Sequence, residues 1–257
     1  ILNPAVKQSA DFGTLGNNKL QQNRENLWAN LQARKAAAPM NYFAPFLTNH
    51  DQNRIMLSLN NDMNKARIAA SLLMTTPGTL YMYYGEEIGM SQYKTGDDQY
   101  RRAIMQWADE PSAGFNSTAN FWLDQGKWFP WVQNHEGWFA HYWQGLQGKG
   151  LSVAAQSADE NSLLNHYKRL IAVRNANPTL KQPDEIRYYP VGNQDVWLVE
   201  ALGKPSSVWV DINLNSTAAA EVELPKPLQG ARTEKLSGQE RDLGERITLK
   251  PAEVLIF

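Results

Sequence analysis

An apolar run, Asn41-Tyr42-Phe43-Ala44-Pro45-Phe46-Leu47, stops abruptly in Thr48-Asn49-His50-Asp51-Gln52-Asn53-Arg54, and no other feature constrains the fold as much. A short apolar run ending in a polar cluster predicts a buried strand that delivers its polar groups at the C-terminal tip. In a parallel α/β barrel that tip is where catalytic side chains stand. A second apolar run, Thr79-Leu80-Tyr81-Met82-Tyr83-Tyr84, ends in Gly85. Between the two, Asn64 to Met74 is rich in Ala, Leu, Ile, Lys and Arg, good helix formers at helical spacing. Pro77-Gly78 is a stop signal for that helix. The order is therefore strand, helix, strand. Taken alone, Asn49-His50-Asp51 reads equally well as a surface turn in which Asn49 or Asp51 caps a helix.

Further along, Leu163, Leu164, Tyr167, Leu170, Ile171 and Val173 recur at three and four residues, with Lys168, Arg169 and Arg174 expected on the opposite face. This predicts a helix from an Asp159 N-cap to a stop at Asn177-Pro178. After Pro183 the texture changes to short alternating runs punctuated by Gly and Pro: 186–191, 196–202, 207–212, 218–224, 246–249 and 254–257. Such runs predict an antiparallel sandwich or barrel, with the domain boundary near residue 184.

Composition excludes more than it specifies. A net charge of −1 leaves no basic footprint for nucleic acid. No run of about 18 apolar residues suggests a membrane span. The chain has no cysteine, so disulfides and thiolate metal sites are ruled out. Asp97, Asp98 and Asp109 lack the spacing of a dedicated calcium loop and read as solvated acids. His135, His141 and His166 have no second His or Cys at ligand spacing, and His166 reads as a helix-face residue. Six of the nine tryptophans, Trp107, Trp122, Trp128, Trp131, Trp138 and Trp143, fall within one stretch that also holds several Phe. Bulky aromatics can simply pack a loop-rich insertion; they can also offer flat faces to the C–H groups of sugar rings.

The Asn49-His50-Asp51 run resembles the strand-seven motif of the α-amylase family of glycoside hydrolases (family 13). Pro77-Gly78-Thr79 with Tyr83-Tyr84-Gly85-Glu86-Glu87-Ile88-Gly89-Met90 is similar to that family's eighth strand and the loop after it. A third block, Arg102-Ala103-Ile104-Met105-Gln106-Trp107 followed by Gly114-Phe115, looks like an Arg-x-x-Met-Gln-Trp segment of bacterial members, with Ile104 where many have Pro. The blocks stand in family order, and the resemblance covers the chain from about residue 15 onward. It implies an α/β fold: the C-terminal part of a (β/α)8 TIM barrel over residues 1–184, then an antiparallel β domain over 185–257. It further implies Asp51 as a catalytic carboxylate, His50 as donor to a sugar hydroxyl, Asn49 as orienter of the pair, and Arg102 closing the pocket in exo-acting relatives.

Retaining hydrolysis needs a nucleophile and an acid about 5–5.5 Å apart. The family supplies them from a Gly-x-Arg-x-Asp strand and from a Glu on the next strand. Neither pattern occurs here; Arg241-Asp242 lacks the flanking residues, and Glu86 and Glu87 belong to the strand-eight loop. The expectation is a C-terminal portion of an enzyme acting on an α-glucan or maltooligosaccharide, inactive alone and completed by an N-terminal portion of the same protein. No cofactor is expected from this chain, no metal site either, and calcium is an expectation only for the complete protein. An alternative is a non-catalytic carbohydrate-binding or structural piece. Endo-acting amylase and exo-acting α-glucosidase or transglycosylase both stay open.

Overall fold

A computed structural model of the chain describes residues 20–92, 98–109, 111–114 and 150–257. Its contacts divide into two compact units, one of residues up to 47 with 62–81 and 167–257, the other of 48–61 and 82–166.

In the first unit, helix α1 (Leu20–Ala37) leads to a 3-10 turn at Met40–Tyr42 and then to an extended segment. Phe46 and Tyr81 form a parallel bridge. The Thr79 amide donates to Phe43 O (2.8 Å) and the Tyr81 amide to Pro45 O (3.0 Å). The two predicted strands are thus parallel neighbours, paired over a shorter stretch than the apolar runs suggested. Pro45 has no amide to give and Met40–Tyr42 is already coiled.

Helix α3 (Met63–Thr75) connects the two extended segments; it follows a one-turn helix, α2 (Ile55–Ser58), of the second unit. Asp62 caps α3, its Oδ1 accepting from the Asn64 and Lys65 amides at 2.8 and 3.1 Å. Ile68, Ala69, Leu72 and Leu73 are buried along it, and a fully buried aliphatic side chain of this size contributes ~1.5–3 kcal/mol. The helix stops at Thr76, and Gly78 turns the chain at φ +100°, with an added Cβ falling 2.3 Å from Phe43 O. Only glycine fits that position.

The helix predicted from Asp159 starts later, as α6 (Leu163–Ala176); a separate helix, α5 (Val153–Ala158), precedes it, after a one-turn α4 (Asp98–Arg101). Asp159 is the C-cap of α5. Ser162 stands at the head of α6, its Oγ accepting from the Asn165 amide at 3.1 Å. Two side chains on α6 depart from the predicted faces. Ile171 is exposed, whereas Arg174 is buried. Arg174 Nη1 donates to Met74 O and Thr76 O, both at 2.8 Å, and Nη2 to Gly78 O at 2.6 Å. It satisfies the orphan carbonyls at the end of α3, and burial lowers its pKa to about 10. A short helix α7 (Pro178–Lys181) follows, with Pro at its first position.

From Glu185 on the chain is β structure. Strands β1 (Glu185–Tyr188), β2 (Val196–Leu202), β3 (Val208–Asn213) and β8 (Val254–Ile256) form one antiparallel sheet in the order β1-β2-β3-β8. Two antiparallel pairs accompany it, β4 (Ala220–Glu223) with β7 (Arg246–Leu249) and β5 (Gly230–Thr233) with β6 (Glu240–Leu243). One core of Val196, Leu198, Trp209, Val222, Leu243 and Leu249 draws on both the sheet and the pairs. The β5–β6 pair was not foreseen; Arg232, Arg241 and Asp242 break the apolar alternation that marked the other strands.

The second unit has its own small core of Ile88, Met90, Ala103, Met105 and Leu164. Gly85 opens the 3-10 turn Glu86–Ile88 at φ +85°, where an added Cβ would meet Met90 Sδ at 2.4 Å.

Candidate active site

The polar residues that end the first apolar run form a tight turn. Asn49 Oδ1 accepts from the Asp51 amide at 2.9 Å, and the Gln52 amide donates to Asn49 O at 3.2 Å. Asn side chains commonly close such turns. Asn49 therefore shapes the backbone that presents His50 and Asp51.

Asp51 extends from this turn between Arg102 and His50. One carboxylate oxygen accepts from Arg102 Nη2 at 3.1 Å, and the other lies 3.4 Å from His50 Nε2. Arg102 Nε reaches His50 O at 3.2 Å, while Arg101 Nη1 donates to Asp51 O at 2.6 Å. Asp98 completes the group, 2.9 Å from Arg102 Nη2 and 3.6 Å from Arg101 Nη1. The side chains of His50 and Asp51 are 63% and 68% exposed. Exposed ion pairs are worth about 0–1 kcal/mol, so this constellation does little for stability. A charge-assisted contact gains most in a dry cleft, and in this chain the carboxylate faces water.

Beneath the exposed group lies a buried one. Arg54 is fully buried, its guanidinium 4.6 and 4.7 Å from the ring centroids of Tyr83 and Tyr84. Nη1 donates to Tyr84 O at 2.7 Å and Nε to Arg101 O at 2.9 Å. Its amide donates to Gln92 Oε1 at 2.6 Å, and Gln92 Nε2 donates to Asn53 Oδ1 at 3.0 Å. Glu86 is also buried and accepts from Thr48 Oγ1 at 2.6 Å. Burial pushes the Glu86 carboxyl up to about 7; Thr48 and the Arg54 charge pull the other way without prevailing. Among the described residues, Glu86 Oε2 and Arg54 Nη2 have no hydrogen-bond partner.

The structure brings Asp51, His50 and Arg102 together, with Asn49 in the turn that carries them. It also exposes two residues that the sequence placed only as loop positions: Glu86, one acid among several, and Arg54, three residues past Asp51. Burial is what singles them out, and a sequence without its fold does not display it.

Trp107 is 51% exposed although its backbone is pinned on both sides, its amide to Ala113 O at 2.9 Å and its carbonyl to the Ala154 amide at 3.0 Å. The other five tryptophans of the aromatic stretch, together with Asp97, His135 and His141, lie outside the described residues. No group of three or more His, Asp or Glu side chains among the described residues could hold a metal ion. Asp98 pairs with Arg101 and Arg102 and belongs to no such group.

Comparison with known proteins gives a consistent result. A family model described as alpha amylase, catalytic domain, matches residues 7–183. The chain is 32% identical to alpha-amylase 3 of Dictyoglomus thermophilum over 131 residues, 51% of this chain and 22% of that protein. It is 28% identical to a probable alpha-glucosidase of Rhizobium meliloti over 219 residues, 76% of this chain and 36% of the relative. The solved alpha-amylase of H. orenii superposes with a TM-score of 0.60 at 28% identity, covering 83% of this chain and 39% of that one. The chain thus spans well under half the length of these relatives.

Proposed function

The chain belongs to the alpha-amylase catalytic-domain family of glycoside hydrolases, and from that premise we propose that it is the C-terminal portion of a retaining enzyme cleaving α-glucosidic bonds in starch-type glucans or maltooligosaccharides. The parallel pairing of 43–46 with 79–81 supports reading these segments as the last two strands of a (β/α)8 barrel. Residues 185–257 form the β domain that follows it.

One observation carries the proposal: the Asp51 carboxylate, presented by the turn that Asn49 closes, held by Arg102 on one oxygen and approached by His50 on the other. Asp51 is the catalytic carboxylate that stabilises the transition state. It grips sugar hydroxyls more tightly as the ring flattens toward an oxocarbenium-like state, which lowers the barrier because the contact strengthens only there. His50 is a substrate-binding donor to a neighbouring hydroxyl, and Asn49 holds the turn. The nucleophile and the acid come from the N-terminal portion, whose arrival also covers the exposed carboxylate and provides the dry cleft.

Arg102 favours an exo-acting variant of the same reading. It matches by motif an Arg that closes the pocket in exo-acting relatives, and its guanidinium stands against the Asp51 carboxylate.

The test is enzymatic. Residues 1–257 alone should leave a nitrophenyl maltooligosaccharide intact, while the complete protein should hydrolyse it and release product with the α configuration retained, as read by NMR. Turnover by the isolated chain, or inversion by the complete protein, contradicts the reading.

A further inference from the structure

The turn that bears Asp51 has two shoulders, and both are anchored in the same buried place. On the N-terminal side Thr48 donates to Glu86. On the C-terminal side Arg54 passes between Tyr83 and Tyr84 and bonds the Tyr84 carbonyl. The Arg54 Nε also reaches the Arg101 carbonyl, which accepts from Tyr83 Oη as well, at 3.2 Å. The next residue is Arg102, the partner of Asp51. The Tyr84 hydroxyl fixes the segment one step further, donating to Ala103 O at 2.6 Å.

A single guanidinium therefore links the loop that presents Asp51 to the segment that presents its arginine. We propose that Arg54 is a positioning residue for the Asp51–Arg102 pair, acting through the Arg101 carbonyl and the Tyr83–Tyr84 cage. The inference rests on the reading of Asp51 as the working carboxylate, and it concerns a residue that touches no substrate.

The geometry favours this role over plain core filling. An aliphatic side chain would fill the same volume without desolvating a cation, which is expensive unless the charge is well paired. What the arginine adds is direction. Its planar fork bonds two carbonyls at fixed angles, and a lysine at the end of a flexible stem cannot satisfy both. Displacements of about 1 Å at a reacting centre can cost on the order of 10²-fold in rate, so a brace of this kind has a measurable consequence.

The test uses the complete protein with a nitrophenyl maltooligosaccharide. Arg54→Lys should lower kcat by about 10-fold or more while KM moves by less than about 3-fold, because substrate hydroxyls are still met but not in the productive arrangement. Tyr83→Phe keeps the ring and removes only the bond to Arg101 O; it should lower kcat by roughly 3- to 10-fold, and it decides the matter where Arg54→Lys does not fold. Each substitution is repeated in an Asp51→Asn background. A residue acting through Asp51 has no further effect there, within about 2-fold, whereas a general loss of structure multiplies through. Full additivity in that background, or wild-type kcat in both single variants when Asp51→Asn is crippled, overturns the inference. Wild-type activity in Asp51→Asn itself overturns instead the reading of the site on which it rests.

Discussion

Among the described residues two buried carboxyl groups have a raised pKa, Glu86 in one compact unit and Asp211 in the other, and their surroundings differ. Glu86 lies below the candidate site with a Thr48 hydroxyl on one oxygen and the Arg54 charge close by. Asp211 lies on β3 in the middle of the antiparallel sheet, fully buried, with neither oxygen hydrogen-bonded among the described residues. Burial raises both, to about 7 for Glu86 and about 8 for Asp211, and Glu253 pushes Asp211 further in the same direction. The comparison separates two uses of an interior acid. In the turn region a buried acid is tied to a loop that presents function. In the sheet the buried Asp211 is a cost, with no hydrogen-bond partner among the described residues to offset it.

The largest expected effect tests the functional half of that contrast. In the complete protein, Asp51→Asn should lower kcat by ~100-fold or more, since the amide keeps the shape and loses a charge-assisted hydrogen bond. His50→Ala should cost less, about 10- to 100-fold, because a neutral hydrogen bond is the weaker contact. Asp211→Asn should leave kcat within about 2-fold. Steady-state kinetics on a nitrophenyl maltooligosaccharide checks all three. A strong effect at Asp211 joined to none at Asp51 would invert the assignment of the two regions.

How much of this was legible in the sequence differs between the same two regions. Strand β2, a nearly continuous apolar run, and strand β7, an alternating one, coincide with the predicted runs because such patterns are local information. Helix α3 was equally clear. The error at α6 is instructive: Asp159 and Ser162 are both good caps, and only the hydrogen bond from the Asn165 amide distinguishes them. Arg174 was placed on the solvent face because arginine usually lies there, yet the open carbonyls at the end of α3 draw it inward. For the candidate site, Asn49, His50, Asp51 and Arg102 could be singled out by motif. Arg54 and Glu86 could not, because their importance comes from burial beside residues 30 to 47 positions away, such as Tyr84 and Arg101.

The next effect down is thermodynamic. Asp211 has its pKa raised from 3.8 to about 8 in the folded protein. Between those values the unfolded chain has released the proton and the folded chain retains it. Stability is therefore greatest below about pH 4 as far as this group is concerned, and falls as pH rises toward 8. Asp211→Asn removes the proton and with it that slope. The variant should be more stable than wild type at pH 8, with the advantage shrinking toward pH 5, as urea denaturation at the two pH values would show. Loss of stability at pH 8 would mean that the carboxylate has a favourable partner and that the sheet is no different from the turn region.

Glu86→Gln gives the smallest expected effect and the sharpest comparison. The sign is the same, because burial again raises the pKa, from 4.5 to about 7, so that stability declines as pH climbs through that window. The size should be less than at Asp211, for two reasons. The interval between folded and unfolded values is narrower, and the ionised form of Glu86 has the Arg54 charge to face, whereas Asp211 has only the like charge of Glu253. The glutamine retains an oxygen for the Thr48 hydroxyl, so the turn keeps that anchor. It gives Arg54 no counter-charge, which removes part of the gain. At pH 8 the gain in stability should therefore be smaller than that of Asp211→Asn, measured side by side by urea denaturation. A gain equal to or above that of Asp211→Asn would show that Arg54 contributes nothing to holding the Glu86 charge, and the two buried acids would then be alike.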